Sequence, residues 1–250
     1  MIDIKTKSAI ERMRQGGGKL RAILRELIDM ARPGVTPLEM EYVAQKLIRK
    51  TGGTPSFQTV SNYQFATCIS INDAVVHGIP TSKPFVSGDI VGVDVGLLYE
   101  GFHTDTSWSV LVGNPDAYPE KKQFLAVGEQ ALKNALNVVK PGNCVGDISQ
   151  AIQTTIESKG YSVMHELVGH GVGRVLHEDP EIPGFLRKKK EKTPLLKAGM
   201  ALAVEVIYAE GKRKIYIDRD GWTIRTKDGT LAGLFETTVI VTHHGSVVLT

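Results

Sequence analysis

The chain has 250 residues, 42% of them apolar and 23% charged, with a formal net charge of +3. That is ordinary for a globular enzyme and too weakly basic to imply a nucleic-acid partner. Two cysteines, Cys68 and Cys144, supply no disulfide framework and fit a reducing compartment.

The opening stretch MIDIKTKSAIERMRQ is charged throughout and lacks a signal-peptide core. No apolar run approaches the roughly 18 residues of a spanning helix, so a soluble, cytoplasmic protein without a membrane partner is expected. Ser8 followed by Glu11 has the spacing of a capping box and predicts a first helix. The triplet Gly16–Gly17–Gly18 weakens that helix by roughly 1 kcal/mol per glycine relative to alanine, or else admits a neighbouring backbone. Helical periodicity resumes from Leu20 to Ala31 and ends at Pro33–Gly34. Thr36 caps a second helix, with Pro37 at its first position and Glu39 in its first turn, running to about Lys50.

Residues 54–87 read as irregular with short strands in TCISIND and AVVHGIP. Then GDIVGVDVGLLYEGFHTDTSWSV, residues 88–110, reads as two strands joined near Leu97–Gly101. Asp94 and Asp105 interrupt this apolar text, and a hairpin brings them side by side. Two such acids repel unless one is protonated or a cation lies between them. Each could equally be an exposed aspartate bonded to nearby backbone.

Helices follow at Pro119–Val139 and Val145–Ser158, closed by Pro141–Gly142 and Gly160. The order helix, Pro-Gly, helix, glycine, strands thus occurs twice, which suggests an internal duplication. In HELVGHGVGRVLHEDP, His165 and Glu166 imitate a zinc helix, but Gly169 occupies the place of the second histidine. The glycines also fail as a dinucleotide fingerprint, and no nucleophile-elbow or phosphate-loop motif occurs. His170 and His177 remain, set among glycines. Glu205 in MALAVEVIY and Glu236 in LAGLFETTVIVT each break what otherwise reads as a central strand. Either could be an ordinary surface-strand glutamate. Together, Asp94, Asp105, His170, Glu205 and Glu236 are an oxygen-rich set with one imidazole, suited to a pair of divalent ions.

With those residues and motifs in view, the chain resembles the type I methionine aminopeptidases of the pita-bread fold along nearly its whole length. The resemblance implies an α+β fold, with two pseudo-symmetric halves around a curved antiparallel sheet. It implies a single catalytic domain over residues 1–250, with halves at roughly 1–113 and 114–250. It implies that the five residues above are metal ligands for two divalent ions (Co, Mn, Fe or Zn), with Asp105 and Glu236 bridging. It makes His77 and His177 substrate-contacting residues that stabilise developing charge, and Glu205 the proton shuttle. Tyr63, Cys68, Leu176 and Trp222 correspond to the pocket for the methionine side chain.

The expected reaction is removal of the N-terminal methionine from nascent polypeptides by a monomer in the cytoplasm. The basic run Arg187–Lys192 reads as a solvated loop, with transient contact to the ribosome as the alternative. Several positions depart from the family pattern: Val206 stands for proline after Glu205, Thr237 for histidine after Glu236, and Leu176 for an aromatic. The runner-up reading is an Xaa-Pro aminopeptidase or prolidase, which shares the fold and the five-ligand set. A non-catalytic pita-bread binding protein is a third. Against the proline enzymes, the region before Glu236 lacks their arginine-bearing stretch. Against the third, all five ligand positions are kept.

Overall fold

The computed structural model describes residues 2–250, so that Met1 of the charged opening stretch lies outside the described residues. Four helices are present among them: α1 Lys7–Asp29, α2 Pro37–Lys50, α3 Pro119–Asn137 and α4 Val145–Glu157. The first half contributes strands β1 Thr54–Pro55, β2 Thr67–Ile71, β3 Ala74–Val76, β4 Ile90–Tyr99 and β5 Phe102–Leu111. The second contributes β6 Ser162–Val163, β7 Val168–Gly171, β8 Glu178–Pro183, β9 Ala201–Ala209, β10 Ile215–Ile217, β11 Ile224–Thr226, β12 Ala232–Val241 and β13 Ser246–Val248.

The main sheet is antiparallel, in the order β1-β4-β5-β12-β9-β7-β8, with β2 also on β4, β6 on β9 and β13 on β12. A small sheet, β10-β11-β3, stands beside it. The architecture is the α+β pita-bread arrangement the sequence implies. One hairpin, β4–β5, faces its counterpart β9–β12 across the seam between β5 and β12.

Side-chain alternation decides which face of each strand is which. Val91, Val93, Val95 and Leu97 of β4 pack beneath α1 and α2, against Leu20, Leu24, Met40 and Ile48. Leu202, Val204, Val206 and Tyr208 of β9, with Phe235, Val239 and Val241 of β12, pack beneath α3 and α4. Trp108 touches both cores and meets Phe235 edge-on at 5.0 Å, across the seam. Asp94, Glu205 and Glu236 have the opposite parity, so they must point away from the helices. The strands are therefore apolar on the helix side and carry their acids on the other.

Two local expectations change. The cap of α1 is Thr6, whose side chain accepts from the Ala9 amide, and Ser8 lies inside the helix, accepting from Arg12. The helix also runs unbroken through the glycine triplet, because two of those glycines sit on its buried stripe. A Cβ on Gly17 would lie 2.7 Å from the Leu249 Cβ and 2.8 Å from its carbonyl oxygen, whereas one on Gly18 would meet nothing within 4 Å. The close approach of Leu249 is what Gly17 permits. α2 forms as expected, with the full Thr36–Glu39 capping box.

The triplet therefore predicts opposite effects one residue apart. Gly17→Ala should destabilise the fold by about 1–3 kcal/mol through overpacking. Gly18→Ala should gain about 0.5–1 kcal/mol of helix propensity. Urea unfolding of the two variants decides it, and equal shifts at both positions would show that Gly17 is not a packing glycine.

Candidate active site

Register brings the acids together. β4 and β5 pair Asp94 with Ser107, β5 and β12 pair Ser107 with Glu236, and β12 and β9 pair Glu236 with Glu205. Asp94, Ser107, Glu236 and Glu205 thus form one row across adjacent strands, on the face away from the helices. Asp105 lies two residues from Ser107 and opposite Gly96, so it meets Asp94 diagonally rather than directly across the hairpin. His170 of β7 pairs with Ala203, two residues from Glu205, and so joins the same face. The glycines beside His170 have a packing reason. A Cβ on Gly169 would lie 2.6 Å from the Ala203 carbonyl oxygen, and one on Gly171 2.1 Å from that of Asp179.

The electrostatics of this face are unfavourable without a cation. Asp94, Asp105 and Glu236 are buried and Glu205 half-buried. Burial pushes Asp105 up to about 7. It also raises Asp94, Glu205 and Glu236 well above the usual carboxylate range, helped in each case by the charge of Asp105. Oδ1 of Asp94, Oε1 of Glu236 and the Ser107 hydroxyl are buried with no hydrogen-bond partner among the described residues. Such orphaned acceptors are costly unless something electropositive meets them.

His170 points the same way. Its Nδ1 lies 2.8 Å from the Gly171 carbonyl oxygen, so the ring proton belongs there and Nε2 presents a lone pair. That Nε2 is 3.4 Å from Oε1 of Glu205. Burial, aided by His177, holds His170 down to about 4, so it is neutral at physiological pH. One ligand-type atom each from Asp105, His170 and Glu236 lie within 4.8 Å of one another. A divalent cation fits the Asp105–His170–Glu236 donor set, with Asp94 and Glu205 outside that group of three.

Two further histidines, His77 and His177, line the same cavity as the acids. The His177 ring meets His170 edge-on at 4.4 Å. His77 follows β3 in the left-handed region, with φ 57°, a conformation a histidine tolerates better than most residues. The turn is pinned: Ile69 donates to the Gly78 carbonyl at 2.7 Å, and a Cβ on Gly78 would collide with the Ile69 oxygen at 2.2 Å. Both residues are exposed at the mouth of the cavity they line. Burial lowers the pKa of both, with His177 adding to the effect on His77. The segment bearing His177 is tied down from the N-terminus, where the buried Lys5 ammonium contacts Glu178 and also bonds Asp3 at 2.7 Å.

Beside the acids lies an apolar pocket. Tyr63, Cys68, Leu176 and Phe57 form a buried cluster, with Val60 and Trp222 packed against it. Trp222 meets Tyr63 edge-on at 4.9 Å. The Tyr63 hydroxyl donates to the Thr67 carbonyl at 2.8 Å and lies 3.1 Å from the Cys68 sulfur. Burial raises both the phenol and the thiol, so the pocket is uncharged. All eleven residues singled out from the sequence line one cavity of about 130 Å³, the scale of a single side chain. Phe57 and Val60 line it too. They sit in a stretch with no periodicity, so no sequence signal identifies them. His165, the false zinc-helix histidine, is elsewhere, stacked on Phe185 at 3.5 Å.

The chain matches the model of metallopeptidase family M24 over residues 11–243. Methionine aminopeptidase 1 of Bacillus subtilis is 38% identical over 250 residues, covering 100% of this chain and 99% of that protein. The crystal structure of a methionine aminopeptidase from Thermotoga maritima superposes with a TM-score of 0.95 at 40% identity, covering 100% of this chain and 99% of the other. A prolidase from Pyrococcus furiosus has the same fold, with a TM-score of 0.79 at 25% identity, but this chain covers only 64% of it.

The acids predict how a cation binds. The metal-free protein holds protons on carboxylates that a cation must displace, so binding releases protons. Calorimetric titration with Mn(II) at pH 6.5, in buffers of different ionisation enthalpy, should show net proton release of about one or more. Affinity should rise with pH through the region of Asp105, near 7. Binding without proton release at pH 6.5 would show that the acids are already ionised.

Proposed function

We infer the function from one premise: the chain belongs to metallopeptidase family M24, and is a metal-dependent hydrolase. On that basis we propose that it removes the N-terminal methionine from nascent polypeptides. The observation that carries this is the junction of the acid-and-histidine face with an uncharged pocket in one cavity. The two sit close enough for a side chain in the pocket to place its own peptide bond over the acids.

Asp94, Asp105, His170, Glu205 and Glu236 would hold the two divalent ions. The oxygen-rich donor set suits Co, Mn, Fe or Zn. When bound, the ions supply Lewis acidity and lower the pKa of a water towards about 7. Every other role falls to the chain itself. Glu205, on the row and partly open to the cleft, takes up a proton as attack begins and returns it to the leaving amine. His77 and His177, neutral and in the same cavity as the acids, donate hydrogen bonds to the substrate amide and to the oxygen on which charge develops. The free N-terminal amine of the substrate is drawn to the acidic face, which confines cleavage to the first residue. Tyr63, Cys68, Leu176 and Trp222 receive the methionine side chain, where sulfur–aromatic contacts favour a thioether.

The whole chain acts as one catalytic unit, a monomer in the cytoplasm, with pseudo-duplicated halves meeting near residue 113. Contact with the ribosome, if made, falls to the 187–192 loop. There Arg187 and Lys190 are already paired with Glu181 and Asp147 at 2.8 and 2.9 Å, leaving Lys188, Lys189 and Lys192 for phosphates. The proline-directed reading is weaker, because the prolidase likeness spans less of its partner at lower identity than the methionine enzymes do.

Specificity tests the proposal. With one metal at fixed pH, kcat/KM should rank Met-Ala-Ser first, norleucine within about tenfold and Leu-Ala-Ser lower. One methylene or ring edge in a pocket is worth about 1–3 kcal/mol, roughly 10- to 200-fold. Leu176→Phe should sharpen the preference for methionine. Faster cleavage of Ala-Pro-Ala than of Met-Ala-Ser would transfer the chain to the proline enzymes.

Glu205→Gln tests the shuttle, with metal content measured alongside because Glu205 is also in the ligand set. The amide keeps the shape without the basicity, so turnover should fall by about 10²–10⁴. Near-normal turnover in that variant would move the proton shuttle to another group.

A further inference from the structure

Asp105 is held in an unusual way. Regular β5–β12 pairing covers Glu236 with Ser107 and Thr237 with Thr106. At Asp105 itself, threonine hydroxyls make the bonds to the main chain. The Thr238 Oγ1 accepts from the Asp105 amide at 2.9 Å and donates to its carbonyl at 2.8 Å. The Thr250 Oγ1 accepts from the Thr238 amide at 2.9 Å and donates to the same Asp105 carbonyl at 3.3 Å. Thr237 closes the cluster, its hydroxyl donating to the Thr250 carbonyl at 2.9 Å. One residue further along β5, the Thr106 hydroxyl donates to the Glu236 carbonyl at 3.0 Å.

Thr250 reaches this position because Leu249 is seated against the notch at Gly17 and donates its amide to the Thr238 carbonyl at 2.8 Å. The glycine triplet and the departure at Thr237 therefore belong to one device. α1 accepts Leu249, Leu249 delivers Thr250, and Thr250 with Thr237 and Thr238 braces the backbone of Asp105 against that of β12.

We propose that Thr250, with Thr237, is a positioning residue for the metal centre. The hydroxyl cluster sets the reach of Asp105 across the seam towards Glu236, and so sets how tightly the acids hold a cation. This rests on the ligand set proposed above. Outer partners of metal ligands typically change metal affinity by about 10–100-fold when removed. A threonine hydroxyl removed without change of shape should fall in that range.

The test uses the full chain stripped of metal and titrated with Co(II) alone, read by visible absorbance and calorimetry. Thr250→Val, isosteric but without the hydroxyl, should weaken Co(II) binding by about 10–100-fold and alter the Co(II) spectrum. Thr250→Ser, which keeps the hydroxyl, should restore both. Thr237→Val gives a second route if Thr250→Val folds poorly, and should weaken binding in the same direction. Asp105→Asn serves as the ligand control. Normal Co(II) binding in both valine variants, with binding lost in Asp105→Asn, overturns the positioning role and leaves the ligand set intact. Normal binding in Asp105→Asn as well would overturn the ligand set itself. Equal weakening in Thr250→Val and Thr250→Ser would show a packing effect and also overturn the proposal.

Discussion

Four carboxylates gathered on one buried face repel each other, and the rest of the molecule is arranged around that repulsion. Among the described residues, none of them is paired with a lysine or arginine side chain. Their pKa values rise, and two of their oxygens are left without a hydrogen-bond partner. Burying such a group without compensation costs several kcal/mol. The strands carrying the acids are locked by two large apolar cores on their other face, which hold the carboxylates together against that cost. A bound divalent ion converts the same geometry from a liability into a site.

Placement of the acids at a seam follows from how two similar halves can meet. Each half offers an antiparallel strand pair, β4–β5 and β9–β12, and the inner strands β5 and β12 pair over only a short stretch. Side-chain hydroxyls take over where that pairing ends: Ser109 with the main chain of Leu234 at 2.9 and 3.0 Å, and Thr106, Thr238 and Thr250 around Glu236 and Asp105. A seam held by hydroxyls leaves the acid-bearing positions less tightly laddered than in a continuous sheet. Their spacing then depends on a few threonines and serines.

The departures from the family pattern differ in consequence. Val206 faces the helices, packed in the core beneath α3, and touches none of the acids' side of the sheet. Thr237 has the parity of Phe235 and Val239, on the helix side, where its hydroxyl joins the cluster with Thr250. Leu176 alone lies in the substrate cavity, beside Tyr63 and Cys68. Of the three, only Leu176 bears directly on which side chain the pocket accepts.

Much of this was legible in the chain itself. The Thr36–Glu39 box, the long hairpin and the paired helices of the second half are written in local chemistry, which acts over a few residues. The five ligand-type residues were visible because acids and an imidazole inside apolar strand text are anomalous wherever the strands go. The sequence could not reveal register. A shift of one residue moves every side chain to the other face, so the row from Asp94 to Glu205 and the diagonal placement of Asp105 exist only once four strands are paired. The same holds for Thr6 displacing Ser8 as the helix cap, and for Phe57 and Val60 in the pocket. It holds most clearly for the glycine triplet. Locally it is a helix weakness, and only the packing of Leu249, 232 positions beyond Gly17, makes it a notch the fold requires.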